Sequence, residues 1–188
     1  MGSHHFFLFV SAIIFLSLPL NFPSKAEATF ELSGHPNKLL IKVCKQSGDF
    51  GFCMKLMKSK PRILSAKNIS TVANFALAVT RKRSLVARNF FNRIANAAQN
   101  PATGKVLEEC ATYFNETVGM LNLSGLEGGT ATLDVHYALD NVQFCKNALG
   151  GAKVDSRAIS DAIDDWKKYF FVAYATVEII EDETPSGP

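Results

Sequence analysis

From Thr29 onward, apolar residues return at every third or fourth position and hardly ever alternate, so the chain should build helices and not strands. The clearest case is Ala131, Val135, Ala138, Val142, Cys145 and Leu149. Their steps of four and three draw one stripe down a helix face. A longer helix with a wider apolar face carries Ile159, Ala162, Ile163, Trp166, Tyr169, Phe170, Ala173, Val177 and Ile180. Leu107, Cys110, Phe114, Val118 and Leu121 make a third. The longest covers about residues 69–98, with Val72, Ala76, Val79, Val86, Phe90, Ile94 and Ala97 expected inward.

The breakers agree with this division. Asn100-Pro101 separates two helices, with Pro at a first-turn position. Gly125, Gly128 and Gly129 mark a turn, Gly150-Gly151 ends a helix, and Asp155 or Ser156 can cap the last one. The fold class is therefore all-α, an up-down-up-down four-helix bundle whose sequential helices are antiparallel neighbours. Ahead of it, residues 37–46 and 50–58 form two short helical patches joined around Ser47-Gly48-Asp49, and Lys60-Pro61 breaks the chain after them. Neither patch is long enough to be stable alone in water.

Four cysteines, at 44, 53, 110 and 145, allow three connectivities. Cys44 and Cys53 sit in the two short patches, and Cys110 and Cys145 lie on inward stripes of two successive helices. Pairing 44 with 53 and 110 with 145 is the choice that matches the helix plan. The second bond closes a loop worth about 3 to 4 kcal/mol of lost freedom in the unfolded chain.

Residues 6–20 read FFLFVSAIIFLSLPL, an apolar run too short for a membrane span of about 20 residues and suited to a signal-peptide core. Ala26-Glu27-Ala28 supplies small residues before a cut at Thr29. A signal anchor, or a buried helix continuous with the domain, is the alternative. The resulting plan is a leader at 1–28, a helical hairpin at 29–62, the bundle at 63–181 and a tail at 182–188. An even cysteine count fits an oxidising compartment. So do three Asn-x-Ser/Thr sequons, at Asn68, Asn115 and Asn122. Asn115 and Asn122 are seven apart and share a stripe with Glu108, so sugars there would point outward. That face would then be closed to a partner. Secretion with no membrane attachment after cleavage is the expectation. A chain that is 47% hydrophobic is not a disordered one.

Charge is divided along the chain. Residues 29–105 hold fourteen Lys or Arg and two acids, whereas 106–188 hold five bases and fourteen acids. One reading is a basic face for an anionic polymer and an acidic face for a protein partner. The other is internal complementarity between first and last bundle helices. The cluster Thr80-Arg81-Lys82-Arg83-Ser84 contains no aromatic residue to stack on bases, and a leader argues against nucleic acid.

No catalytic set is found. His35 and His136 are the histidines left after cleavage, and there is no H-E-x-x-H, G-x-S-x-G, P-loop or C-x-x-C. Asp161, Asp164 and Asp165 fall on an outer face, His136 reads as an exposed helix residue, and no metal or cofactor is called for. A binder is the better reading. Leu133, Tyr137 and Phe144 form a second apolar strip on the helix of the Ala131 stripe, with Asp140 among them. Such a strip is either a partner surface or a flank packed on a neighbouring helix.

Several of these pieces resemble the plant invertase and pectin methylesterase inhibitor family. They are the leader, Cys44 and Cys53 in a helical hairpin, Cys110-x-x-Tyr113, Ala138-Leu139-Asp140-Asn141 followed by Cys145, and an amphipathic closing helix. The likeness spans about residues 35–181. It implies a four-helix bundle with an N-terminal hairpin and the two disulfides above. It implies a secreted, apoplastic inhibitor that covers the cleft of a cell-wall enzyme, either pectin methylesterase or an acid invertase, one to one. The invertase inhibitors are associated with Pro-Lys-Phe; the nearest segment here is Lys60-Pro61-Arg62, which favours pectin methylesterase. Val135-His136-Tyr137 departs from the small residues and Ser common in that helix. A non-inhibitory extracellular module on the same scaffold is a further reading, with residues 81–93 in weak contact with anionic pectin.

Overall fold

Side-chain caps set where the helices begin. Asn37 Oδ1 accepts from the Leu39 N–H at 3.0 Å, Asp49 Oδ1 from Phe52 at 3.0 Å, and Asn68 Oδ1 from Thr71 at 2.8 Å. Asn100 Oδ1 accepts from Ala102 at 2.8 Å, and the Ser156 hydroxyl accepts from Ile159 at 3.2 Å. Each satisfies an N–H that the helix itself leaves without a partner, at about 1 kcal/mol per cap. Pro61 and Pro101 stand in first turns, where no N–H is needed.

The computed structural model describes residues 37–121 and 131–183. The leader, Asn122 and residues 184–188 lie outside them. Seven helices are described: α1 (Lys38–Gln46), α2 (Phe50–Lys58), α3 (Pro61–Leu64), α4 (Ile69–Asn96), α5 (Pro101–Met120), α6 (Ala131–Gly151) and α7 (Arg157–Glu183). The four long ones form the bundle. α4 packs on α5 and α7, α5 on α6, and α6 on α7, so α4 and α6 stand diagonally. α1 packs on α2 and α7. Beyond capping α1, Asn37 ties its start to the following segment, donating from Nδ2 to the carbonyls of Ala66 at 2.8 Å and Leu64 at 3.3 Å.

Cys44 is bonded to Cys53, joining α1 to α2, and Cys110 to Cys145, joining α5 to α6. All four are fully buried. Gly48 makes the α1–α2 turn at φ +80°, where a side chain is strained. At the end of α6 the left-handed position falls on Lys153, φ 54°, two residues past the glycine pair. There the Val154 N–H reaches the Leu149 carbonyl at 2.9 Å and the Lys153 N–H reaches Gly150 at 3.1 Å. This is a Schellman closure made without glycine at its usual place.

The stripe from Ala131 to Leu149 is buried throughout. The second half of α4 differs from expectation. Val86 is 53% exposed and Ala97 is exposed, while Thr80, Ser84, Ala87, Phe91 and Ala95 turn inward. On α5, Thr117 is buried and Val118 only partly so. The cause is a polar knot inside the bundle. Ser84 Oγ accepts from Trp166 Nε1 at 2.8 Å and from Thr117 Oγ1 at 2.7 Å, and donates to the Thr80 carbonyl at 3.2 Å. Around it Phe91 stacks on Phe114 at 5.4 Å and Trp166 on Phe170 at 5.1 Å, and Phe114 meets Trp166 edge to face at 5.8 Å. Each such ring adds about 1.5–3 kcal/mol by leaving water.

Candidate functional site

The face of α6 opposite its buried stripe carries Leu133, Tyr137, Asp140 and Phe144. Leu133 is 49% exposed, Tyr137 46% and Phe144 50%. Each thus keeps about half of its surface open to solvent. Helical geometry puts the four within one narrow strip, because their spacings of four, three and four match the helix period. Cys145 holds the middle of this helix to α5, and the buried stripe fixes its rotation.

Polar and aromatic contacts border the strip on both sides. Toward α5, Phe144 leans on Tyr113, ring centres 5.9 Å apart, and the Tyr113 hydroxyl donates to Glu109 at 2.9 Å. That bond to a carboxylate, with some burial and the charges of Glu109 and Glu116, raises the Tyr113 pKa, so its hydroxyl stays a donor. Deeper, Asn141 donates to Glu116 at 3.0 Å. On the α7 side, His136 lies 3.8 Å from Asp140 and its ring is 6.0 Å from that of Tyr174. The start of α6 is held by α7: Glu181 accepts from the Thr132 N–H at 2.8 Å and from the Thr132 hydroxyl. This cap comes from a residue 49 positions away, so no local pattern announces it.

The two described sequons, at Asn68 and Asn115, stand apart from the strip. Asn68 caps α4, and Asn115 is exposed on the side of α5 that faces α4, where Arg88 donates to it at 3.0 Å. Tyr113, by contrast, reaches α6. A glycan on Asn115 thus leaves the strip open.

Chemistry-bearing groups are dispersed. Among the described residues no three His, Cys, Asp or Glu side chains gather as a metal site. Asp161 pairs with Arg157 at 3.8 Å and Asp165 with Arg83 at 3.5 Å. A cavity of about 490 Å³ at the α6–α7 turn mixes Lys146 and Lys153 with Asp155 and Asp164, away from the strip. Beside it, burial first and Lys146 second lower the Lys167 pKa. The two halves of the chain are joined by two ion pairs among the described residues, Lys42–Glu183 at 3.1 Å and Arg83–Asp165. Exposed pairs of this kind contribute about 0–1 kcal/mol each, so most of the basic charge is not neutralised by close contact. No described helix is long and apolar enough to cross a membrane.

The family model described as plant invertase/pectin methylesterase inhibitor matches residues 38–175. The chain belongs to that family. Among solved structures, it resembles the crystal structure of mutant form A of a pectin methylesterase inhibitor from Arabidopsis. The TM-score is 0.60 at 17% identity, over 77% of this chain and 96% of that one. A pectin methylesterase inhibitor from Arabidopsis thaliana matches with a TM-score of 0.53 at 16% identity, over 81% and 100%. At such identities the likeness is one of fold. No curated protein matches the chain. The helical bundle and its two disulfides are thus those of the inhibitor family.

Proposed function

We propose that this protein is secreted to the plant cell wall and inhibits pectin methylesterase there, one to one, by lying over the active-site cleft and excluding the polymer. The observation that carries the reading is the strip of Leu133, Tyr137 and Phe144, about half exposed on the outer face of α6 and set around Asp140. Exposed aromatic side chains such as Tyr137 and Phe144 are of the kind enriched at protein interfaces. A stapled and fully packed bundle offers them with little left to order on binding, which favours tight obstruction. The protein makes and breaks no bonds of its own in this account. The leader supports secretion, and the basic half of the chain supports a weak contact with anionic pectin.

The test is a titration of the mature protein against purified pectin methylesterase and acid invertase at mildly acidic pH. Stoichiometric loss of the esterase activity is expected. Loss of invertase activity alone reassigns the target. Loss of neither overturns inhibition and leaves a binding module on this scaffold.

A further inference from the structure

On the far side of the bundle from the α6 strip, α2, α4 and α7 enclose a groove of about 580 Å³. It falls within the range of about 300–1,000 Å³ typical of ligand sites. Four cations line it, Lys55, Lys60, Lys82 and Arg83, and no acid does. Among the described residues the three lysines are in no ion pair. Arg83 shares its charge with Asp165, outside the groove. The walls are apolar and aromatic. Phe52 and Phe75 line them together with Tyr169, which meets Phe52 edge to face at 4.9 Å. The Arg83 guanidinium lies 4.3 Å over the Tyr169 ring and donates to its hydroxyl, which fixes it in place. The cluster Arg81-Lys82-Arg83 contains no aromatic residue; the fold brings Phe52 of α2 and Tyr169 of α7 to it, and Phe75 stands two turns earlier on α4 itself. Val86, expected inward, stands 53% exposed at the rim instead.

We infer that this groove binds a short stretch of polyuronate, the carboxylated sugar chain that a pectin methylesterase leaves behind. Ester hydrolysis turns each neutral methyl ester into a carboxylate, and the lysines answer that charge. Sugar rings are polar at the rim and carry C–H groups on their faces, and aromatic walls suit those faces. The inference rests on the proposed setting in the cell wall, and it deepens the pectin contact by giving it a site. Because α4 stands diagonal to α6, one molecule could hold polymer and enzyme at once.

The experiment is calorimetric titration of the full mature chain with oligogalacturonate at low salt, without any enzyme. Its outcome is therefore separate from that of inhibition. Binding is expected, weakened about tenfold or more by Lys55→Glu with Lys82→Glu and by raised salt. Arg93→Glu, outside the groove, should change it far less. Circular dichroism keeps unfolded variants out of the comparison. Equal binding of the fully methyl-esterified oligomer, or of poly-glutamate, would overturn the assignment, since the first lacks charge and the second lacks sugar rings. So would an unchanged affinity in the double variant. If that variant instead abolishes self-association in sedimentation, the groove holds the acidic half of a second copy and the inference fails.

Discussion

Trp166 on α7 donates its indole N–H to the Ser84 hydroxyl on α4 at 2.8 Å, in the centre of the bundle. Both residues are almost fully buried, and Thr117 of α5 joins them at 2.7 Å. One serine thus fixes the rotation of three helices at once.

Ser84→Ala should therefore cost more than the loss of a small polar side chain suggests. It strands the indole N–H and takes an acceptor from Thr117, a penalty of about 1–3 kcal/mol. Thermal unfolding should shift down by several degrees, at about 2–4 °C per kcal/mol for a domain of this size. A midpoint within a degree of the parent would show that the knot contributes nothing.

The first turn of α6 depends on Glu181 at the other end of the fold's sequence. Glu181→Ala should lower stability by about 1 kcal/mol, the typical value of a lost cap. Hydrogen exchange should quicken at the first amides of α6, and the amides near Cys145 should keep their protection. Uniform quickening along α6 would mean that the cap acts on the whole fold and not on the helix start.

The closing turn of α7 gathers like charges. Burial first, then Asp182 and Glu181, raise the Glu178 pKa above the ordinary glutamate range. The folded chain therefore holds this proton more tightly than the unfolded chain does. The resulting stability is complete below the unfolded value and is lost as pH rises through the folded one. Glu178→Gln should melt higher than the parent at neutral pH, and the gap should close as the solution is acidified. A gap that is constant with pH would rule out titration of Glu178 as its source.

If the α6 strip is the surface that meets the enzyme, as proposed, Phe144→Ala should weaken inhibition about tenfold or more, in keeping with an anchor worth above about 1 kcal/mol. Asp140→Lys tests the charge set among the apolar groups. Both positions are at least partly exposed, so melting temperatures should barely move. Unchanged inhibition by both variants would take the interface off this face.

What the residues alone disclosed follows from the kind of force that places each element. The α6 stripe was legible because every core position on it except Asn141 is apolar, and hydropathy at a period of 3.6 is a local signal. The second half of α4 was misread by one position. Ser84 and Thr80 occupy the core there to serve Trp166, Thr117 and the Tyr169 carbonyl, and a hydropathy stripe ranks Val79 and Val86 above them. The strip at Leu133, Tyr137 and Phe144 stood out because the stripe on the other face of α6 already supplies that helix's core positions. The groove could not be read in this way. Lys55, Lys82 and Tyr169 come from three helices, and only packing makes them neighbours.

The bond between Cys110 and Cys145 spans everything that separates α5 from α6. A protease that cuts anywhere between residues 121 and 131 would leave two peptides still chained to each other. The nicked protein would migrate as one species until a thiol reagent parts it, so proteolytic damage there would pass unseen on a non-reducing gel.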